Sequence, residues 1–213
     1  MLRGIAAPLM VQNVDTDVLS RTVRLLTIRQ EDLARYAFEA WRYLPDGSEN
    51  PDFLLNHAPY RNASILLNDA NFGCGSSREG AVWALQAMGY RCLIAPSFGD
   101  IFFGNCFQNG VLPIVLPIET VNSIADEVRA DPAAPLTVDL PQQHIVLPSG
   151  RTVVFEIEAY RRAMLLEGLD EIQATLRRMP EISKFRERDM QRRPWAQALV
   201  PQAAPSSSPT RKH

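Results

Sequence analysis

Apolar and polar positions change rhythm along the 213-residue chain, and each rhythm predicts a different element. Residues 4–11 are mostly apolar and predict a short opening strand. A polar turn follows at Asn13-Val14-Asp15-Thr16-Asp17. Apolar or aromatic residues then recur at Ile28, Leu33, Tyr36, Ala37 and Ala40, behind a Thr27/Gln30 pair with capping-box spacing, which predicts a helix over 28–41. Residues 45–59 hold Pro-Asp-Gly and Asn-Pro and read as loop. The centre is the most regular part: an apolar run at 63–67, a glycine-rich turn, a helix over 78–88 stopped by Gly89, and an apolar run at 91–95. A helix opened by Pro96-Ser97 then runs to 108, and a third apolar run lies at 112–116. Alternating buried strands and helices predict an α/β fold with a partly parallel sheet and flanking helices.

The C-terminal half reads more simply. A helix is expected over 119–129, and then a meander of strands over 136–140, 143–147 and 152–157 with a hairpin turn at Pro148-Ser149-Gly150. Residues 159–192 have helical periodicity broken at Gly168 and Pro180. The last stretch is rich in Pro, Ser and Ala and is expected to be disordered. The chain is therefore expected to form one domain over 1–195 and a disordered tail over 196–213.

Composition narrows the function classes. The net charge is −2, so no overall field attracts nucleic acid. All the basic residues are arginine except Lys184 and Lys212, a bias of composition. Arginines 177, 178, 186, 188, 192 and 193 are interleaved with Glu181, Glu187 and Asp189, as on a solvated helix face. No apolar run reaches the roughly 18–20 residues of a membrane span, and Met1–Ile5 lacks the long apolar core of a secretion signal. Cys74, Cys92 and Cys106 fit neither a disulfide framework nor a zinc motif. These features together predict a cytoplasmic protein that meets neither membrane nor nucleic acid. With only His57, His144 and His213, a metal site built from several histidines of this chain is not expected.

The strongest chemical signal is Asn71-Phe72-Gly73-Cys74-Gly75-Ser76-Ser77-Arg78-Glu79. Gly73 and Gly75 permit positive φ and close backbone approach. Ser76 and Glu79 have capping-box spacing, which makes Ser76 the expected N-cap of the following helix. A helix N-terminus with free N–H groups favours an anion, and Arg78 adds a fork suited to a carboxylate. The same pattern also fits a tightly capped strand-to-helix turn with no ligand. A dinucleotide fingerprint fails because Arg78 stands where a third glycine is needed, and a P-loop fails because no Gly-Lys-Ser/Thr follows. Cys74 as a nucleophile would need His57 or His144. Asp15 and Asp17 suit a hard cation or, more simply, an Asx turn.

Four stretches together resemble one family. The Asn13–Asp17 turn, Trp41-Arg42-Tyr43-Leu44, the glycine-serine turn through Glu79, and Ile94-Ala95-Pro96-Ser97-Phe98-Gly99-Asp100-Ile101-Phe102 stand in this order. It is the order found in the small subunit of 3-isopropylmalate dehydratase, the detached swivel domain of the aconitase superfamily. The likeness covers about residues 4–175.

The resemblance implies a swivelling β/β/α domain of the aconitase C-terminal type, working as a heterodimer with a large subunit. That partner carries a [4Fe-4S] cluster with one open iron, and this chain is expected to bind no metal. Ser76 matches the family's general base and Arg78 its carboxylate-binding arginine. Gly75, Ser77, Asp15 and Asp17 match positions around the small dicarboxylic hydroxy-acid substrate. The implied reaction interconverts 2-isopropylmalate and 3-isopropylmalate by dehydration and rehydration, a step of leucine biosynthesis. The isolated chain should be inactive.

Two departures bear on substrate. Gly80 stands where the family motif has histidine, and Leu19-Ser20-Arg21-Thr22 replaces the usual Ile-Ile-Pro-Lys. Alternatives are the small subunit of a related hydro-lyase acting on homoaconitate, dimethylmalate or a citraconate-like acid, and a non-catalytic module that binds a small anion.

Overall fold

The computed structural model describes residues 1–76 and 78–197. The chain divides into two compact units, Met1–Asp170 and Glu171–His213, an earlier boundary than the one expected at 195.

The first unit is built on two four-stranded sheets. Strands β1 (Leu2–Gly4) and β2 (Ala6–Pro8) open the chain. Short helices α1 (Thr16–Leu19), α2 (Thr22–Thr27) and α3 (Glu39–Arg42) follow, with a 3-10 turn at Gln30–Arg35 between the last two. Then come β3 (Ile65–Leu67), α4 (Glu79–Ala87), β4 (Cys92–Ala95), α5 (Asp100–Gln108), β5 (Leu112–Val115) and α6 (Ile118–Ala130). Strands β6 (Leu136–Asp139), β7 (His144–Val146) and β8 (Thr152–Val154) and helix α7 (Ala159–Glu167) complete the unit.

Strands β2, β3, β4 and β5 pair in that order, all parallel. The two central strands, Ile-Leu-Leu and Cys-Leu-Ile-Ala, are buried at every position, as expected of a parallel sheet covered on both faces. Pro8 and Pro113 fall on the two edge strands, where a missing N–H interrupts no ladder. Helix α6 turns Val121, Ile124, Ala125 and Val128 inward, spaced as one apolar helix stripe. The second sheet, β1-β6-β7-β8, is antiparallel throughout.

Three expectations need correction. The single opening strand over 4–11 is two strands in different sheets. The chain crosses between them at Ile5, whose carbonyl accepts from the Ser64 and Ile65 amides. The helix over 28–41 is instead a 3-10 turn followed by α3, with Ile28 and Arg29 extended. Burial overrides the local period: Phe38 takes a left-handed φ of 54° and is wholly buried, its ring centroid 6.1 Å from Trp41 and 5.8 Å from Phe53. The helix expected from Pro96 begins only at Asp100, because residues 97–99 bond across to the glycine-serine turn.

The second unit contains α8 (Glu171–Arg177), α9 (Met179–Arg192) and α10 (Pro194–Gln197). Neither α8 nor α9 buries a side chain, which explains why the boundary falls before them. The Gly168 break is a left-handed cap with φ 61°, whereas Pro180 sits inside the first turn of α9, where proline is tolerated. Of the tail expected over 196–213, Ala196 and Gln197 are helical, and the rest lies outside the described residues.

Candidate active site

The loops that leave the C-terminal ends of β2, β3 and β4 are stitched to one another. Such an edge of a parallel sheet is where α/β proteins place ligands. The Gly73 amide donates to the Val14 carbonyl at 2.7 Å, and the Thr16 amide to the Cys74 carbonyl at 2.9 Å. On the other side, the Phe72 amide donates to the Ser97 carbonyl at 3.1 Å, and the Gly99 amide to the Phe72 carbonyl at 2.9 Å. Asn71 adds a side-chain bond to Asn13 at 2.8 Å. The glycine-serine turn is thus held as a short strand between two others, with bridges Asp15–Cys74 and Phe72–Phe98.

Gly73 shows why this turn tolerates no side chain. Its φ is 71°, and a Cβ there would lie 2.3 Å from the Phe102 ring. Gly75, at φ 92°, is exposed at the tip of the bend.

Ser76 follows, exposed, with its carbonyl accepting from Thr16 Oγ1 at 3.0 Å. Thr16 is itself only 2% exposed, so this bond is sheltered and fixes the bend against α1. The Arg78 guanidinium donates through Nη2 to Ser76 Oγ at 3.3 Å. Both its Nη atoms also donate to the Asp17 carboxylate, with Nη2 to Oδ2 at 3.0 Å. The Arg78 side chain is 18% exposed and that of Asp17 59%. The hydrogen bond from Arg78 holds the Asp17 carboxyl below the usual carboxylate range, with a further electrostatic pull from Arg21. The bond to Asp17 raises the Arg78 pKa, against partial desolvation.

Ser76 is not the helix cap expected from sequence. Helix α4 starts at Glu79 with Arg78 as its N-cap residue, and no side chain caps it. The Glu79 carboxylate does not turn back to the chain before it; it accepts from Asn109 Nδ2 at 2.9 Å. The Ser76 hydroxyl is therefore left facing Arg78.

Of the other positions singled out from sequence, Asp15 caps α1 by accepting from the Val18 amide at 2.8 Å, while Asp17 joins Ser76 and Arg78. Ser77 lies outside the described residues. Cys74 is half-buried, His57 bonds the Pro51 carbonyl, and His144 sits on β7 of the other sheet, so no thiol–imidazole pair forms among the described residues. Thr16 escaped the sequence reading. Its only signal was its place between two aspartates, which says nothing of a bond sixty residues away.

The donor set does not fit an iron-sulfur cluster. Cys92 and Cys106 are packed in the core, where burial pushes their thiols far above the usual range, and Cys74 stands apart. A cavity of about 670 Å3 opens nearby, lined by Arg21, Arg24, Arg35, Tyr36, Glu39 and Tyr43 among others. Ser76 and Arg78 are not part of its wall; they stand on an open bend.

This geometry can be set beside known proteins. The aconitase C-terminal domain model matches residues 1–119, and LeuD_N matches residues 122–159. The 3-isopropylmalate dehydratase small subunit of Gluconacetobacter diazotrophicus is 49% identical over 200 residues, covering 94% of this chain and 97% of that one. That of Rhodospirillum rubrum is 49% identical over 195 residues, covering 92% and 94%. The chain belongs to the 3-isopropylmalate dehydratase small-subunit family. A crystal structure of 3-isopropylmalate dehydratase from Methanocaldococcus jannaschii matches the fold with a TM-score of 0.62 at 25% identity, covering 85% of this chain and 97% of that one. The aconitase-type α/β fold expected from the sequence is thereby established, as is membership of a hydro-lyase family whose members are small subunits. Among the described residues no helix is long and apolar enough to cross a membrane.

Proposed function

We propose that this chain is the small subunit of a dehydratase that interconverts 2-isopropylmalate and 3-isopropylmalate in leucine biosynthesis. It is active only when a large subunit that carries a [4Fe-4S] cluster closes over the Ser76 bend. One observation carries this reading: an exposed serine hydroxyl lies 3.3 Å from a guanidinium nitrogen, on a bend locked by backbone bonds to its neighbours on both sides. An open site with fixed chemistry suits a surface completed by another polypeptide.

In this reading Ser76 Oγ takes a proton from the methylene carbon beside a substrate carboxylate while hydroxide leaves the neighbouring carbon; on rehydration hydroxide adds to the former methylene carbon and Ser76 Oγ returns a proton to the neighbouring one. A serine hydroxyl is a poor base unless its alkoxide is stabilised, and the Arg78 guanidinium supplies positive potential at that oxygen. Arg78 also offers a planar fork of the kind that binds carboxylates through two bonds. The Asp17 carboxylate already shows how an acid sits on it. Gly75 brings backbone close to the substrate, Ser77 is a substrate-binding position by its place in the family motif, and Asp15 and Asp17 line the side toward α1. This reading gives the cluster to the partner, and the burial of Cys92 and Cys106 in the core supports it. A reducing cytoplasm is the compartment this reading assigns, and three unpaired thiols are compatible with it.

The test is to co-express the chain with its large subunit and assay hydration of isopropylmaleate under anaerobic conditions. Turnover that requires both chains and is lost on Ser76→Ala is expected. An assembled, cluster-loaded pair with no turnover on isopropylmaleate overturns the substrate. Full activity of Ser76→Ala overturns the role given to the hydroxyl.

A further inference from the structure

Gly80 lies two residues beyond Arg78, in the first turn of α4, and it is buried. A Cβ built there would fall 2.3 Å from Leu25 Cδ2, 2.5 Å from Cδ1 and 2.9 Å from Cγ. The space that any other residue would fill is taken by the end of a leucine from α2. Leu25 is half-buried and packs against the core from this position.

The same segment is tied down at other points. Asp17 on α1 pairs with Arg78. Arg24, beside Leu25, makes two bonds to Glu39 at 3.1 and 2.5 Å and lies over the Tyr36 ring at 4.4 Å. Residues 16–27 therefore meet the start of α4 at two sites, one polar at Arg78 and one apolar at Gly80.

We propose that Gly80 is a positioning residue: its missing side chain is a seat for Leu25, and that seat sets where the Thr16–Thr27 segment lies beside Ser76 and Arg78. This rests on the reading of Ser76 and Arg78 given above. Glycine in a helical turn is disfavoured by its own backbone freedom, so its use here calls for a packing reason, and the seated leucine supplies one. Arg21 heads α2 and acts electrostatically on the Asp17 carboxyl, which in turn occupies the fork of Arg78. A shift of α2 passes along this row to the group that receives a substrate carboxylate. The Arg78–Ser76 bond lies within a single bend, two residues apart, and is not part of this row, so the quantity that moves is substrate binding more than proton transfer at Ser76.

The experiment compares Gly80→Ala, Leu25→Ala and the double variant in the assembled two-subunit enzyme, with Ser76→Ala alongside. Gly80→Ala should raise KM by about 3- to 10-fold with kcat little changed. Amide exchange over residues 22–27 should quicken by about 10-fold, with the β4 core unaffected. In the double variant the methyl at 80 enters space vacated at 25, so its KM should be no higher than that of Leu25→Ala alone. Alanine is the better helix former, so a Gly80 that served only the helix would give slower exchange in α4, unchanged exchange at 22–27 and wild-type KM. That result, or multiplicative KM effects in the double variant, overturns the seat. The exchange readout needs no turnover, so it decides the seat even where the assembly proves inactive. Ser76→Ala should abolish turnover with normal exchange at 22–27; if it stays active while Gly80→Ala behaves as expected, the reading of Ser76 fails and the seat stands.

Discussion

The two sheets of the first unit are equal in strand number and opposite in use. The parallel sheet buries its central strands completely and sends its C-terminal loops to one edge, where residues 13–17, 71–76 and 97–99 bond to one another. The antiparallel sheet leaves Val154 71% exposed on β8 and carries none of the residues of the candidate site. A hairpin-connected sheet fixes its loops singly, by turn geometry, whereas parallel strands point successive loops the same way. Three loops can then fix one bend. The fold divides its work accordingly: rigidity beneath the site comes from the parallel core, and precision at the site comes from loop-to-loop bonds.

The sharpest way to break that comparison is at the loop edge. Ser76→Ala removes the hydroxyl and leaves the backbone stitches intact, so activity of the assembled enzyme should fall by about 10²- to 10⁴-fold, as for loss of a positioned acid–base group, with an unchanged melting temperature. A loss of stability comparable to the loss of activity would mean that the serine is structural. Beneath it, Ile94→Ala in the wholly buried β4 should cost about 2–5 kcal/mol of unfolding free energy in a denaturant titration. The antiparallel counterpart, Val154→Ala, should stay within about 0.5 kcal/mol, because an exposed valine leaves no cavity. Equal costs at the two positions would erase the contrast between the sheets.

A smaller effect sharpens it. Thr16→Val keeps the shape of the side chain and removes the bond to the Ser76 carbonyl. About 1 kcal/mol of stability should be lost, and more in activity than that loss alone explains, since the bend would no longer be pinned to α1. Steady-state kinetics beside a melting curve separates the two.

How far the sequence alone carries depended on where the information lay. The parallel core was legible because fully buried strands spell themselves as unbroken apolar runs, as at Ile65-Leu66-Leu67. The bend that carries Ser76 and Arg78 was legible because two glycines, two serines and an arginine make a local pattern that also matches a family motif. The placement of Ser76 as helix cap failed because capping-box spacing does not say where the helix begins; here Thr16 and Asp17, from α1, take the polar groups of the bend. The 28–41 segment failed for the same reason: burial of Phe38 against Trp41 and Phe53 is a tertiary fact with no local signature. The seat at Gly80 was visible only as a departure from a motif until Leu25 was found over it.

The smallest effect concerns pH. Asp17 has its carboxyl lowered by Arg78, so the folded protein favours the charged form more than the unfolded chain does. The stabilisation is then fully present above the unfolded value of about 3.9 and is lost as pH falls through the lowered folded value. Because the Asp17 side chain is 59% exposed, solvent screens the pair, and its whole worth should lie in the range of about 0–1 kcal/mol typical of exposed ion pairs. Asp17→Asn should therefore melt slightly below the wild type at pH 7, and the two curves should converge below pH 3. Raising the salt concentration at pH 7 should narrow the same gap. A gap that persists in acid would show that Asp17 acts through packing or hydrogen-bond shape, and would move the electrostatic tie between α1 and the Ser76 bend elsewhere.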